Sequence, residues 1–208
     1  MSYKDNELII SIDGETNGPA PLVNSLWQFG AAFYDGHGKL LDTFEANLEE
    51  QDGTVGNTET LAWWDEQEKK SPGLLQRIRS GAIPAGNAMR EFENKTRTLA
   101  KERKAKPLVV AYPAGFDFTW LYTLLVKYNG QSCVGFSCLD MKTMAMTLLN
   151  VPYHDAAKRK FPKNWFDPSL KHTHCALDDA LEQGYTFFQM RKFQEEIWQK
   201  ISTNPESR

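Results

Sequence analysis

Acidic side chains stand at the ends of apolar runs in three separate parts of the sequence. The run Leu8 to Ile12 leads into Asp13-Gly14-Glu15. In an extended strand residues i and i+2 point to the same face, so both carboxylates can hold one hard cation. Gly14 has no side chain, which lets a ligand approach the backbone. An Asp-x-Glu by itself is weak in so acidic a chain, and alone it reads as a solvated strand end. Asp117 lies between Phe116 and Phe118, just past the apolar run Leu108 to Ala111. There it is either an acid serving a helix dipole or a third carboxylate facing the first two. The third segment is His174-Cys175-Ala176-Leu177-Asp178-Asp179-Ala180. A helix turns about 100° per residue, so positions i and i+5 share no face of a regular helix. His174 and Asp179 can meet at one site if His174 lies in the loop before the helix. Asp178, at i+4, is the alternative acid.

Four carboxylates and one histidine suit phosphodiester hydrolysis with two metal ions. Mg²⁺ takes oxygen ligands in near-octahedral geometry. Two such ions stabilise the attacking and leaving oxygens of an in-line displacement. Acids gathered without cations repel and raise one another's pKa. A histidine titrates near working pH and can serve as general base on the attacking water.

Taken in this order, the three segments resemble the three exonuclease motifs of the DEDDh 3′–5′ exonuclease superfamily (DnaQ-like), to which proofreading exonuclease subunits and oligoribonucleases belong. The first motif is similar to Asp13-Gly14-Glu15-Thr16-Asn17-Gly18, and the second to Ala114-Gly115-Phe116-Asp117 with Leu121 following. The third is similar to His174-x-Ala176-Leu177-x-Asp179-Ala180, which favours Asp179 over Asp178. The similarity covers roughly residues 8–190. It implies an α/β protein with the ribonuclease H-like fold, a mixed central sheet with flanking helices. It also implies that Asp13, Glu15, Asp117 and Asp179 bind two Mg²⁺ or Mn²⁺ ions, and that His174 is the general base. Gly14 and the backbone around Thr16 would face the terminal nucleotide and its 3′ hydroxyl. The implied substrate is the 3′ end of single-stranded RNA or DNA, and a homodimer is implied by resemblance alone. Some positions depart from the pattern. Gly14 stands where the family often has a larger residue, and Pro113 where it commonly has asparagine. His172 is a second nearby histidine, read here as a solvated loop residue.

Two further readings compete. A non-catalytic module binding a nucleic-acid end or a partner on the same fold would be favoured by a lost acid, and none is lost. A zinc site drawn from Cys133, Cys138, His172, His174 and Cys175 fits zinc spacing only loosely. Cys133 and Cys138 flank an expected buried strand, so core thiols are the better account. Trp63 and Trp64 are adjacent on an expected helix and cannot both face inward. One of them could stack on a base, although both packing against neighbouring helices is the plainer reading.

The elements that must position these groups follow from pattern. Strands are expected over Leu8 to Asp13, Trp27 to Tyr34 and Lys39 to Leu48, the last two joined by the turn Asp35-Gly36-His37-Gly38. Short helices follow over Thr58 to Lys69 and Pro72 to Ser80, the second capped by Ser71, and a longer one over Gly86 to Lys104. Next come a strand over Pro107 to Tyr112, a helix over Phe116 to Tyr128, a strand over Val134 to Leu139 and a helix over Met141 to Leu149. A long loop over Tyr153 to Lys171 precedes a last helix from about Cys175 to Ile201. This order is that of an α/β or α+β domain with a mixed sheet. Its 208 residues suit one domain over 1–201, with a frayed tail over 202–208.

Composition sets the remaining bounds. With 41% apolar and 25% charged residues the chain is neither disordered nor fibrous. No apolar run reaches the roughly 18 residues of a membrane span. The polar Met1 to Glu7 segment lacks a secretory core, and three cysteines argue for free thiols in a reducing cytoplasm. A net charge of −3 is not that of a protein that coats nucleic acid by charge alone. The charge is uneven, however. Residues 35–70 carry ten acids and three bases, while residues 158–174 carry five bases and one acid. That basic stretch reads as a phosphate contact or, more commonly, a solvated loop.

Overall fold

A computed structural model describes residues 3–203 of the chain. Five strands form one mixed sheet in the order β3-β2-β1-β4-β5. They are β1 (Glu7–Thr16), β2 (Leu26–Asp35), β3 (Leu40–Asn47), β4 (Lys106–Ala111) and β5 (Leu139–Asp140). The first three are antiparallel neighbours, and β4 and β5 run parallel to β1. Six helices accompany them: α1 (Thr58–Lys70), α2 (Leu74–Arg79), α3 (Ala85–Arg103), α4 (Ala114–Asn129), α5 (Met141–Leu149) and α6 (Ala176–Thr203).

The strand period of two sorts β1 between two cores. Leu8, Ile10 and Ile12 face a cluster that contains Met89 and Phe92 of α3 and Leu121 and Leu125 of α4. Ile9 faces the other side, with Val110 of β4, Met141 of α5 and Phe187 and Met190 of α6. Ser11, Asp13 and Glu15 continue the Ile9 side, so the acids of the first motif point toward α6. This helix can lie against the sheet because of two glycines. A Cβ on Gly30 would come within 2.2 Å of the Ala176 backbone, and one on Gly184 would come within 2.6 Å of the Tyr34 ring. Gly30 is the partner of Asp13 across the β1–β2 ladder. The first turn of α6 is therefore docked directly beside Asp13. Two side-chain hydrogen bonds fix it there. Ala176 N–H donates to Gln28 Oε1 at 2.8 Å, and Gln183 Nε2 donates to the Ile12 carbonyl at 2.8 Å.

The structure corrects several sequence expectations. β1 runs on to Thr16, so Asp13-Gly14-Glu15 lies within a paired strand rather than at its end. The expected strand over Val134 to Leu139 is reduced to Leu139–Asp140. Gly135, at φ +77°, turns the chain there, and Val134 beside it is buried in the core. Cys133 and Cys138 thus flank a turn, but both still pack against the core as free thiols. Ser71 closes α1 instead of capping α2. The α2 N-terminus is served by Glu68, whose carboxylate accepts from Gly73 and Leu75 N–H at 2.7 and 2.8 Å. The long loop is present, with short 3-10 turns at Tyr153–Asp155, Lys158–Lys160 and Lys163–Trp165. Ser202 and Thr203 of the expected tail still belong to α6, and residues 204–208 lie outside the described residues. Among the described residues no helix is long and apolar enough to cross a membrane.

Candidate active site

Asp13 and Glu15 come from β1, Asp117 from the first turn of α4 and Asp179 from the first turn of α6. Oxygens of Asp13, Glu15 and Asp179 all lie within 4.8 Å of one another. Asp117 joins from the other side of the strand, where its Oδ1 accepts the Gly14 N–H at 3.2 Å. Glu15, Asp117 and Asp179 are buried, and Asp13 is half-buried. The third motif favours Asp179 over Asp178, and the helix separates the two. Asp178 turns outward to Arg77 of α2 at 2.8 Å, while Asp179 turns into the cluster.

So many acids in so little water shift one another's titration. Burial, followed by the charge of Asp179, pushes Asp13 up to about 7. Burial and then Asp13, Asp179 and Asp117 hold Glu15 well above the ordinary carboxylate range. Asp117 is raised by burial and by Asp13. Two cationic groups work against this at Asp13, namely Lys158 and His172.

His172 is the exposed loop residue expected from the sequence, but it is also bound to the cluster. Its Nδ1 lies 3.0 Å from Asp179 Oδ2 and 3.5 Å from Glu182 Oε2. Those bonds, to Asp179 first and Glu182 second, push the imidazole up to about 10. His174 is close by, its ring centroid 4.6 Å from that of His172 and 5.0 Å from that of Trp63. Burial and the neighbouring His172 lower its pKa, which favours the neutral ring. His174 has a left-handed backbone (φ +57°) just before α6, and its ring lies within 4.8 Å of Asp179 and His172. The intervening Thr173 donates its N–H to Asp179 Oδ1 at 2.8 Å.

Beside the acids opens a cleft of about 270 Å³, lined by Gly14, Glu15, Thr16, Trp63, Trp64 and Phe116 among others. The two tryptophans divide the work. Trp64 is buried, and its Nε1 donates to the Thr16 carbonyl at 2.8 Å, which braces the end of β1. Trp63 is 39% exposed and presents its ring to the cleft. Gly14 borders the cleft, and its missing side chain also makes room for Leu26, which a Cβ would meet at 2.9 Å. At Pro113, where the superfamily commonly has asparagine, the adjacent Ala114 N–H donates to Asp140 Oδ1 at 3.0 Å.

Sequence reasoning missed His172, Glu182 and Lys158. Lys158 Nζ lies 3.1 Å from Glu182 Oε2 and 5.7 Å from the centroid of the Tyr112 ring. The one signal for it was the excess of bases over 158–174.

Comparison with known proteins agrees with this geometry. A curated relative, the 3′-5′ DNA exonuclease Cap18 of Escherichia coli, is 23% identical over 192 residues, 92% of this chain and 95% of that protein. Among solved structures, a 3′-exonuclease recognising the histone mRNA stem-loop shares the fold with a TM-score of 0.65 at 13% identity, over 93% of this chain and 67% of that one. A zinc-bound E. coli ExoI-ssDNA complex aligns at TM-score 0.59 and 14% identity, covering 95% of this chain and 43% of that longer one. The mixed sheet and flanking helices are those of the ribonuclease H-like exonucleases. The 3′-5′ exoribonuclease Rv2179c-like domain matches residues 9–189, from the second core position of β1 to the middle of α6. The chain therefore belongs to the Rv2179c-like 3′-5′ exoribonuclease domain family, within the exonuclease superfamily that its three motifs resemble.

Proposed function

We propose that this 3′–5′ exonuclease hydrolyses phosphodiester bonds from the 3′ end of single-stranded RNA or DNA, with two divalent cations held by Asp13, Glu15, Asp117 and Asp179 and with His174 as general base. The observation that carries the reading is the acid cluster itself. Oxygens of Asp13, Glu15 and Asp179 lie within 4.8 Å of one another, with Asp117 behind Gly14. Such a cluster is costly without cations, and its all-oxygen donor set fits Mg²⁺ or Mn²⁺. Bound there, the cations supply positive charge to the attacking and leaving oxygens of an in-line displacement.

The remaining work belongs to the chain. The floor formed by Gly14 and Thr16 and the exposed ring of Trp63 hold the terminal nucleotide beside the acids. Trp64 fixes that floor through Thr16. His174, its neutral form favoured and its ring against Trp63, accepts a proton from the attacking water. Water oxygen bonds to phosphorus, the bond from phosphorus to the 3′ oxygen of the preceding nucleotide breaks, and that oxygen ends protonated. The product is a nucleoside 5′-monophosphate and a strand shorter by one. The free thiols fit work in a reducing cytoplasm.

The family description names RNA, whereas the E. coli relative is named for DNA. The test treats the two sugars alike. Single-stranded RNA and DNA oligonucleotides labelled at the 5′ end are incubated with Mg²⁺ or Mn²⁺, with EDTA and Asp13→Ala as controls. A ladder shortening from the 3′ end, absent in both controls, is expected, and the faster strand identifies the sugar. Cleavage that persists in EDTA would refute the metal-dependent reading.

A further inference from the structure

The basic stretch over 158–174 has no part in the chemistry above, yet its first residue pairs with Glu182 beside the site. Lys158 sits in a 3-10 turn whose flanks are tied down. Ala156 is fully buried and its carbonyl accepts from the Tyr112 hydroxyl at 2.7 Å, while Phe161 packs among Tyr112, Trp165 and Phe166. The turn is thus fixed to the residue that follows β4, level with Asp13. The Lys158 side chain is 27% exposed, and Glu182 holds its ammonium from one side. Two other bases of the stretch are paired or exposed. Lys160 pairs with Asp155 at 2.6 Å, and Lys163 is exposed.

An ammonium carries three donors and Glu182 occupies one. Lys158 stands against Tyr112, which follows β4 in register beside Asp13, and against Glu182, whose other partner His172 bonds Asp179, whereas the nucleotide cleft borders Glu15 and Thr16. A strand with its last nucleotide in that cleft must continue past Asp13. We propose that Lys158 is a substrate-binding residue, donating to a non-bridging phosphate oxygen of the linkage just 5′ to the one being cut. Glu182 and the Tyr112 ring are its positioning partners. An acidic surface would otherwise repel the strand here, so a fixed cation has an evident use. This rests on the exonuclease reading above, because the cleft defines the direction of the strand.

The test is binding of a fluorescent single-stranded oligonucleotide with a free 3′ hydroxyl, measured by anisotropy in Ca²⁺ across a salt series, alongside turnover in Mg²⁺. Lys158→Met should bind about tenfold more weakly, with a salt slope shallower by about 0.7, the share of one phosphate contact on a single strand. Lys158→Arg should recover most of the affinity, and Lys163→Met, the same charge loss on the same loop, should match the parent. Uncharged methylphosphonate linkages placed singly along the strand supply the second arm. The parent should lose affinity at the linkage 5′ to the scissile one, and Lys158→Met should be indifferent there. If the parent degrades the strand while Lys158→Met keeps its salt slope and its linkage profile, Lys158 is only a structural brace and the proposal fails. If the parent neither binds nor degrades 3′ ends, the exonuclease reading fails first.

Discussion

The acid cluster has two flanks built in different ways. On the cleft flank, Trp64, Thr16 and Trp63 are fixed by packing and by one buried hydrogen bond between elements of regular structure. On the loop flank, Lys158, Glu182 and His172 are fixed by charge, and two of the three come from an irregular segment. The cleft flank shapes a surface for a base and a sugar. The loop flank sets the electrostatic balance of the acids. Changes on the first should act on substrate affinity and on folding, and changes on the second on charge and its titration.

The largest effect is expected where the flanks meet. Asp13→Ala removes a ligand from the centre of the cluster. Loss of several kcal/mol of transition-state stabilisation corresponds to a fall in kcat of about a thousandfold or more. The same change relieves repulsion within the metal-free cluster, so the variant should melt no lower than the parent in EDTA. Residual activity near the parent's would place the cations elsewhere.

The two histidines then separate catalysis from charge balance. His174→Ala should lower kcat by about 10²–10⁴ and flatten its rise with pH, because the neutral ring is the working form. His172→Ala should leave a larger share of kcat, since its ring is already committed to Asp179 and Glu182. Measuring both pH profiles decides the assignment, and a larger loss at His172 would exchange the two roles.

The tryptophans test the packed flank. Trp63→Ala should raise KM and weaken binding of a 3′ end by about 1–3 kcal/mol, the worth of a stacked base, with a small change in melting temperature. Trp64→Ala should do the reverse, destabilising the fold by about 3–5 kcal/mol as a large buried side chain is lost. Equal effects on affinity from both would mean that Trp64 also meets the substrate.

The same division explains what could be read from sequence. The acids of the site stand next to apolar runs, and alternation along β1 puts Asp13 and Glu15 on one face. Ala176 and Ala180, with Gly30 opposite, let α6 approach the sheet. These are local patterns with fixed periods. By contrast, β5 is two residues long and shows no alternation, so the apolar stretch before it passed for a strand. His172, Lys158 and Glu182 meet through a loop without a period, and composition registers only the loop's excess charge. Trp63 and Trp64 were legible as a pair that must split, but which one faces out depends on where β1 ends, at Thr16.

The pH dependence of stability is the most diagnostic of the charged flank, because it requires no substrate. Asp13 is raised from its ordinary range to about 7, so the folded protein binds that proton more tightly than the unfolded chain does. Stability from this group is present at low pH and is lost as pH rises from about 4 toward 7. His172 is raised to about 10, and its contribution is present below its ordinary value near 6.5 and lost as pH rises toward 10. Both slopes have the same sign, so in EDTA the melting temperature should fall continuously from pH 5 to pH 9, by about 2–4 °C for each kcal/mol lost in a chain of this size. Asp13→Asn should flatten the lower part of the curve and His172→Gln the upper part. Cations favour the ionised acids, so Mg²⁺ should stabilise the protein more at pH 8 than at pH 5. A metal-free curve that rises with pH would mean that the acids are already balanced by Lys158 and His172, and that the two flanks differ less than their construction implies.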